Sequence, residues 1–215
     1  MLGYLKIARN KRIMQVTNQM ATTRFIVKGY ARKRANYYKA TSNTILIEDS
    51  GKKILVDPGC NEGLLLSGLK KEGLKPKDTD MIFLTHYHPD HVLNVRLFPK
   101  VDVLDGDKIY RGDREYSYKD RIPGTAVEVI ATPGHAYEHA TLLVKTKHGV
   151  VAIAGDLWWW EDGKQKTDAK TLLTLKDPLA NDNVTLLSSR KKILQKADFI
   201  IPGHGKMFST GKSNK

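Results

Sequence analysis

Cysteine occurs once in the 215 residues, at Cys60, so no intramolecular disulfide framework holds this chain. No apolar run approaches the roughly 20 residues that cross a bilayer. Nor does an apolar core of about 7 to 15 residues follow the basic start (Lys6, Arg9, Lys11, Arg12), as a secretory signal requires. The reading is a soluble, cytoplasmic protein with no membrane contact. An organellar address stays open, because that start is basic and free of acids. No internal repeat and no Pro-rich linker interrupts the sequence. At this length, 40% hydrophobic residues suit a single domain over 1–215 with one sizeable core. Residues 1–19 and 209–215 read as a peripheral extension and tail.

Acid is missing locally as well. No Asp or Glu precedes Glu48, whereas that stretch holds ten cations: Lys6, Arg9, Lys11, Arg12, Arg24, Lys28, Arg32, Lys33, Arg34 and Lys39. The net charge of +13, from 36 basic and 23 acidic residues, is therefore largely N-terminal. A second concentration runs from Arg190 through Lys191, Lys192, Lys196, Lys206, Lys212 and Lys215 against Asp198 alone. Such asymmetry marks either a surface for a nucleic-acid partner or solvated decoration, and no aromatic-interleaved motif accompanies it.

What is abundant is histidine in one place. The apolar run Met81-Ile82-Phe83-Leu84 reads as a buried strand, and Thr85-His86-Tyr87-His88-Pro89-Asp90-His91 follows it. With Asp90 as N-cap, a helix is predicted to begin at about His91. Extended chain places His86 and His88 on one side, so both can converge on one ion, while the turn carries Asp90 and His91 towards a second. Three later segments each place one more donor after a strand-like run: Thr132-Pro133-Gly134-His135, Ala154-Gly155-Asp156 and Ile200-Ile201-Pro202-Gly203-His204.

Around these motifs the pattern predicts strands over 23–30, 42–48, 53–56, 101–104, 127–132, 141–145, 150–154 and 199–201. It predicts helices over 61–73 with Asn61 as N-cap, over 91–98, and over 183–197 with Asp182 as N-cap. Segment 105–123 is polar and rich in Tyr, and is expected at the surface as one wall of a cleft. His148 falls in a hairpin turn and is expected in solvent. Three consecutive indoles, Trp158-Trp159-Trp160, cannot all face one core, so at least one should border the cleft. We place Trp158 there.

The ordered set of donors resembles the metallo-β-lactamase-fold hydrolases, and all five metal motifs of that family are matched in order over about residues 20–208. That resemblance implies an α/β (α+β) fold, a four-layered αββα sandwich with a dinuclear site at one edge. It implies one metal held by His86, His88 and His135, another by Asp90, His91 and His204, and Asp156 bridging. It further implies that Asp57 of Asp57-Pro58-Gly59 supports a ligand imidazole from behind. His139 would be a supporting or substrate-binding residue rather than a ligand, or else the holder of a purely structural hydrogen bond. The longer match, His86 to Pro99, resembles small single-domain members that include a ribonuclease-like animal protein.

Two divalent ions about 3.5 to 4 Å apart share and deprotonate a water, which is hydrolytic chemistry. Asp90 would orient the bridging hydroxide and take its proton, as its counterpart does in the family. Mostly imidazole donors suit Zn2+, with Mn2+ or Fe2+ compatible with the two carboxylates. The substrate expected is a phosphodiester or a carboxylic ester or thioester, either a small molecule or a nucleic acid, and a homodimer is allowed for. The alternatives are a mononuclear iron persulfide dioxygenase-like enzyme and a glyoxalase II-like thioesterase.

Overall fold

A computed structural model describes residues 20–212. In chain order its elements are β1 (Thr22–Val27), β2 (Tyr30–Lys33), β3 (Tyr38–Thr41), β4 (Thr44–Asp49), β5 (Lys52–Val56) and α1 (Glu62–Lys71). Then come β6 (Met81–Phe83), α2 (Pro89–Val92), β7 (Asp102–Leu104), β8 (Lys108–Arg111), β9 (Arg114–Ser117) and β10 (Glu128–Ala131). The chain closes with β11 (Ala140–Thr146), β12 (Gly149–Ile153), α3 (Ala169–Thr174), α4 (Asn183–Lys196), β13 (Phe199–Ile201) and β14 (Phe208–Ser209). Two mixed sheets result, of seven strands in the order β1-β4-β5-β6-β7-β8-β9 and of five in the order β10-β11-β12-β13-β14.

Alternation along the strands decides the layers. Ile45, Ile47, Ile54, Val56 and Phe83 of the first sheet meet Leu142, Val144, Val151, Ile153 and Ile201 of the second in one core between the sheets. The intervening residues Leu46, Leu55 and Ile82 face outward onto Leu65 and Leu69 of α1. On the far side Leu143, Ala152 and Ile200 meet Leu172 of α3 with Leu186 and Ile193 of α4. Helix, sheet, sheet and helix therefore stack in four layers around three apolar seams, the αββα sandwich with α/β content. Strand residues buried on both faces leave no solvated side, which is why these runs read as continuously apolar.

Local chemistry sets the elements as expected in most places. Asn61 caps α1 by accepting from Leu64 N at 3.1 Å, and Asp182 caps α4 by accepting from Val184 N at 2.8 Å. Ser50 and Gly51, both with positive φ, turn β4 into β5. His148 lies exposed in the turn between β11 and β12.

Three expectations need correction. Segment 105–123 lies at the surface as expected but does not wall the cleft above the metal turn: β8 and β9 extend the first sheet as an edge hairpin, and none of its residues lines that cleft. The predicted first strand is cut at Lys28, and β2 pairs with β3 as a separate two-stranded ribbon. The chain is also fixed past Ser209, because β14 pairs with β13 and Thr210 Oγ1 donates to Ala197 O at 2.8 Å. Residues 1–19 and 213–215, with their share of the basic charge, lie outside the described residues. Among the described residues no helix is long and apolar enough to cross a membrane.

Candidate metal centre

Strands β5, β6 and β7 run parallel, as do β12 and β13, so the loops that leave β5, β6, β12 and β13 open on one edge of the sandwich. Backbone bonds sew that edge together. Asn43 N donates to Gly203 O at 2.6 Å, Ala140 N to Thr85 O at 2.9 Å, and Ser42 N to Asp90 O at 3.0 Å. The Asn43 side chain adds bonds to Pro202 O and Gly205 O, which hold the loop carrying His204. Gly203 has no substitute here, because a Cβ would overlap Asp156 Oδ1 and stand 2.9 Å from His91 Cε1.

Two groups of donors meet on this edge. His86, His88, His135 and Asp156 form one, and Asp90, His91 and His204 the other, with the donor atoms of each group within 4.8 Å of one another. All seven residues singled out as ligands are thus brought together. Asp156 belongs with both groups by distance. Its Oδ2 lies 3.9 Å from His86 Nε2, 3.6 Å from His135 Nε2 and 3.7 Å from His204 Nε2, while Oδ1 lies 3.4 Å from His91 Nε2. Asp90 Oδ2 is 3.1 Å from His204 Nε2. Donors in a tetrahedron with bonds of about 2.1 Å stand about 3.4 Å apart, so these separations suit zinc-like coordination.

Four of the inward atoms have no other use, whereas His135 Nε2 stands 3.0 Å from His88 Nδ1. His86 Nε2, His91 Nε2, His204 Nε2 and Asp156 Oδ1 are buried with no hydrogen-bond partner in the protein. Buried polar groups are otherwise nearly always paired, so the donor set fits divalent cations.

The outward atoms fix the tautomers. Thr85 Oγ1 donates to Asp57 Oδ2 at 2.7 Å, so its lone pair accepts from His86 Nδ1 at 3.1 Å. His91 Nδ1 donates to Asp57 Oδ2 at 2.9 Å, and His135 Nδ1 donates to Asp177 Oδ2 at 2.6 Å. With each Nδ1 carrying a proton, Nε2 is the ring nitrogen left facing inward, free to bind a cation once its own proton is lost. Asp57 stands behind the imidazole of His91, the position its motif implied. It also accepts from Thr85 N at 2.8 Å and sits at φ 48°, a left-handed conformation that Asp tolerates.

Charge follows the same geometry. Burial alone would push His91 down, but Asp156 and Asp57 outweigh it and hold the imidazole well above its ordinary range. Burial opposes ionisation of Asp156 too, and His91 and His204 override it to hold the carboxyl well below the usual range. His86, with burial and His91 acting together, is pushed well down. His139 is pushed to about 3, first by burial and then by His135, so it stays neutral.

Two site expectations change, and for His139 only the substrate-binding alternative falls away. Asp90 is not an N-cap: α2 starts at Pro89, His88 holds the cap position, and the Asp90 carboxylate is free to face His204. Trp158 does not border the cleft. It is fully buried against Phe208 and donates to Leu172 O at 2.8 Å, while Trp159 lines the cleft. His139 is buried beside the His86 ring with Nδ1 on Thr132 Oγ1 at 2.9 Å, out of reach of substrate.

Asp177 was missed by sequence reasoning, since an Asp before Pro reads only as a turn. Both it and His135 are buried, and Leu179 N donates to its Oδ1 at 2.9 Å. It also draws on buried Arg190, whose guanidinium is pushed down to about 10 by burial against the pull of Asp177. We expect Asp177→Asn to weaken one of two bound metals by about 10- to 100-fold. Competitive chelator titration of the purified variant checks this; two unchanged affinities would remove Asp177 from the site.

Above the donors lies a cavity of about 340 Å³ lined in part by Tyr38, Ala40, Leu93, Trp159, Pro178 and Leu179, with His88, Asp90 and Asp156 at its floor.

The sequence model of the Metallo-beta-lactamase superfamily matches residues 38–118. Metallo-beta-lactamase domain-containing protein 1 of Xenopus laevis is 32% identical over 195 residues, covering 85% of this chain and 79% of the frog protein. The mouse protein of that name is 32% identical over 177 residues, which cover 78% of this chain and 65% of the mouse protein. Among solved structures, the dizinc quorum-quenching lactonase AidC superposes with a TM-score of 0.55 at 19% identity, covering 80% of this chain and 75% of that one. At that identity the likeness is one of fold.

Proposed function

The chain belongs to the metallo-beta-lactamase superfamily, and on that footing we propose that it is a hydrolase working with two divalent metal ions, bound at His86, His88 and His135 and at Asp90, His91 and His204, with Asp156 between them. The observation that carries this reading is the convergence of seven donors from four segments, with His86 Nε2, His91 Nε2, His204 Nε2 and Asp156 Oδ1 buried and unpartnered. Five imidazoles and two carboxylates rank Zn2+ first, with Mn2+ and Fe2+ within the same chemistry. The dizinc lactonase of the same fold supports a pair of ions. A complete second donor group argues against the single-iron alternative.

When bound, two such ions supply Lewis acidity and a water acidified towards neutral pH. The protein's part is orientation. Asp57, Thr85 and Asp177 hold three imidazoles with Nε2 inward. Asp90, like half-buried His88, is open to the cleft, with its side chain 25% exposed at the floor. That position lets its carboxylate take a proton from the attacking water and return it to the leaving group. Phosphodiesters and carboxylic esters or thioesters are all within this chemistry.

Metal analysis and turnover test the reading together. We expect two ions per chain and hydrolysis of at least one of bis(p-nitrophenyl) phosphate, p-nitrophenyl acetate, a thioester or RNA. One iron per chain, or two ions with no hydrolysis, overturns it. Asp90→Asn should keep the His86, His88 and His135 ion while slowing turnover about 10²- to 10⁴-fold, the usual worth of positioned proton transfer. An unchanged rate removes Asp90 from the chemistry.

A further inference from the structure

The lining of the cleft bears on which of these substrates fits. None of its eleven lining residues is Lys or Arg, in a chain that carries 36 of them. The lining includes the Tyr38 and Trp159 pair, in edge contact at 6.1 Å between centroids, and the apolar side chains of Leu93, Pro178 and Leu179. Leu93 and Leu179 are 55% and 52% exposed although they flank the donors, so apolar surface stands open directly beside the reacting position. The volume, about 340 Å³, is that of a small-molecule site rather than a polymer groove.

None of the six described cations of the basic stretch lines this cleft, and two of them are paired elsewhere. Arg32 is engaged with Asp162 at 2.6 Å, and Arg24 with Glu48 at 2.9 Å and Glu72 at 3.2 Å. A polyanion gains its affinity by having each phosphate neutralised by a cation, and the cleft offers none from the protein.

The geometry points to a neutral acyl ester or thioester whose acyl part is apolar, with the scissile carbonyl over His88, Asp90 and Asp156 and the acyl chain between Trp159 and Leu179. This rests on the hydrolase reading. In the reaction the oxygen of water bonds to the acyl carbon while the carbon–oxygen or carbon–sulfur bond breaks. One water proton passes to the leaving oxygen or sulfur, the other is released as the acid ionises, and no oxidant or reductant takes part. Burying each added methylene on the apolar walls favours the bound state, and in a half-open cleft that is worth roughly two- to fourfold per methylene.

The test uses the full chain loaded with metal. Rates are measured on p-nitrophenyl esters from acetate to decanoate, beside bis(p-nitrophenyl) phosphate and single-stranded RNA. We expect kcat/KM to rise roughly two- to fourfold per methylene until the cavity is filled. In Leu179→Ser and Trp159→Ala that rise should fall towards one per methylene, whatever the absolute rate, with metal content unchanged. Octanoate binding by calorimetry should weaken about fivefold in Leu179→Ser, a readout independent of turnover. Turnover of acetate or of the phosphodiester with no dependence on chain length overturns the acyl inference and leaves the hydrolase reading standing. So does a preference for RNA that falls with salt and is abolished by Arg32→Gln, Lys33→Gln and Arg34→Gln together. Two bound ions with no turnover of any substrate overturns both.

Discussion

Replacing Asp156 by alanine is expected to remove both metals and to lower turnover of any substrate by about 10³-fold or more, since metal catalysis contributes several kcal/mol and each 1.4 kcal/mol is a factor of ten. The carboxylate lies within 4 Å of two imidazoles of each group, His86 and His135 on one side and His91 and His204 on the other. Removing it leaves three imidazoles on one side and Asp90 with two imidazoles on the other, and nothing that spans them. The fold should survive. Asp156 lies on the edge of the sandwich outside the three apolar seams, and His91 keeps Asp57 as its partner. Metal content by mass spectrometry, with urea unfolding of the metal-free proteins, checks this. A variant that holds two ions at parental affinity would show that Asp156 does not join the two groups.

The metal turn was legible because its chemistry is local. Four donors in six residues after a buried strand admit few other uses, and parallel strands bring their following loops to a common edge. The central strands were legible for a related reason: burial on both faces leaves only apolar residues to choose from. The two hairpins were not. In β2 and β3, Arg32 stands opposite Lys39 and the exposed positions are charged or aromatic, so no alternation of polar and apolar residues marks the strands. The β8–β9 edge is similar, with all four residues of β9 exposed. Yet the first of these ribbons carries Tyr38 to the cleft, so what shapes substrate binding was the part least visible in the sequence.

The tryptophans show where a finer reading of the sequence would have succeeded. Extended chain through the three indoles puts Trp158 and Trp160 on one side and Trp159 on the other, and after the short helical turn at Gly155–Leu157 the chain is extended at Trp158, with φ −128° and ψ 108°. Trp158 and Trp160 are both in the core against Phe208, which leaves Trp159 for the cleft. Asp177 had no such signal. Its partner His135 lies 42 residues away in the chain, and only the packed loop reveals the pair.

The second large effect is expected at Asp57, where stability and metal binding should fall together. Its buried carboxylate accepts from Thr85 N, Thr85 Oγ1 and His91 Nδ1, so it ties the end of β5 to the metal turn and sets the imidazole of His91. Alanine leaves three buried donors without an acceptor and must also adopt φ 48°, which a side chain with no local hydrogen bond does at a cost of about 1 kcal/mol. Together these should destabilise the metal-free protein by about 3 to 5 kcal/mol, a large fraction of a domain's total. Asp57→Asn separates the two roles. Asn keeps the shape and tolerates the left-handed backbone, but it turns one acceptor into a donor, so the stability loss should be only about 1 to 3 kcal/mol. The His91 imidazole would still lose its anionic partner, and the affinity of the Asp90, His91 and His204 group should drop about 10- to 100-fold. Urea midpoints and chelator competition on both variants measure the two effects separately. If Asp57→Ala unfolds within 1 kcal/mol of the parent and binds both ions as tightly, the residue is only the turn-former that Asp57-Pro58-Gly59 suggests.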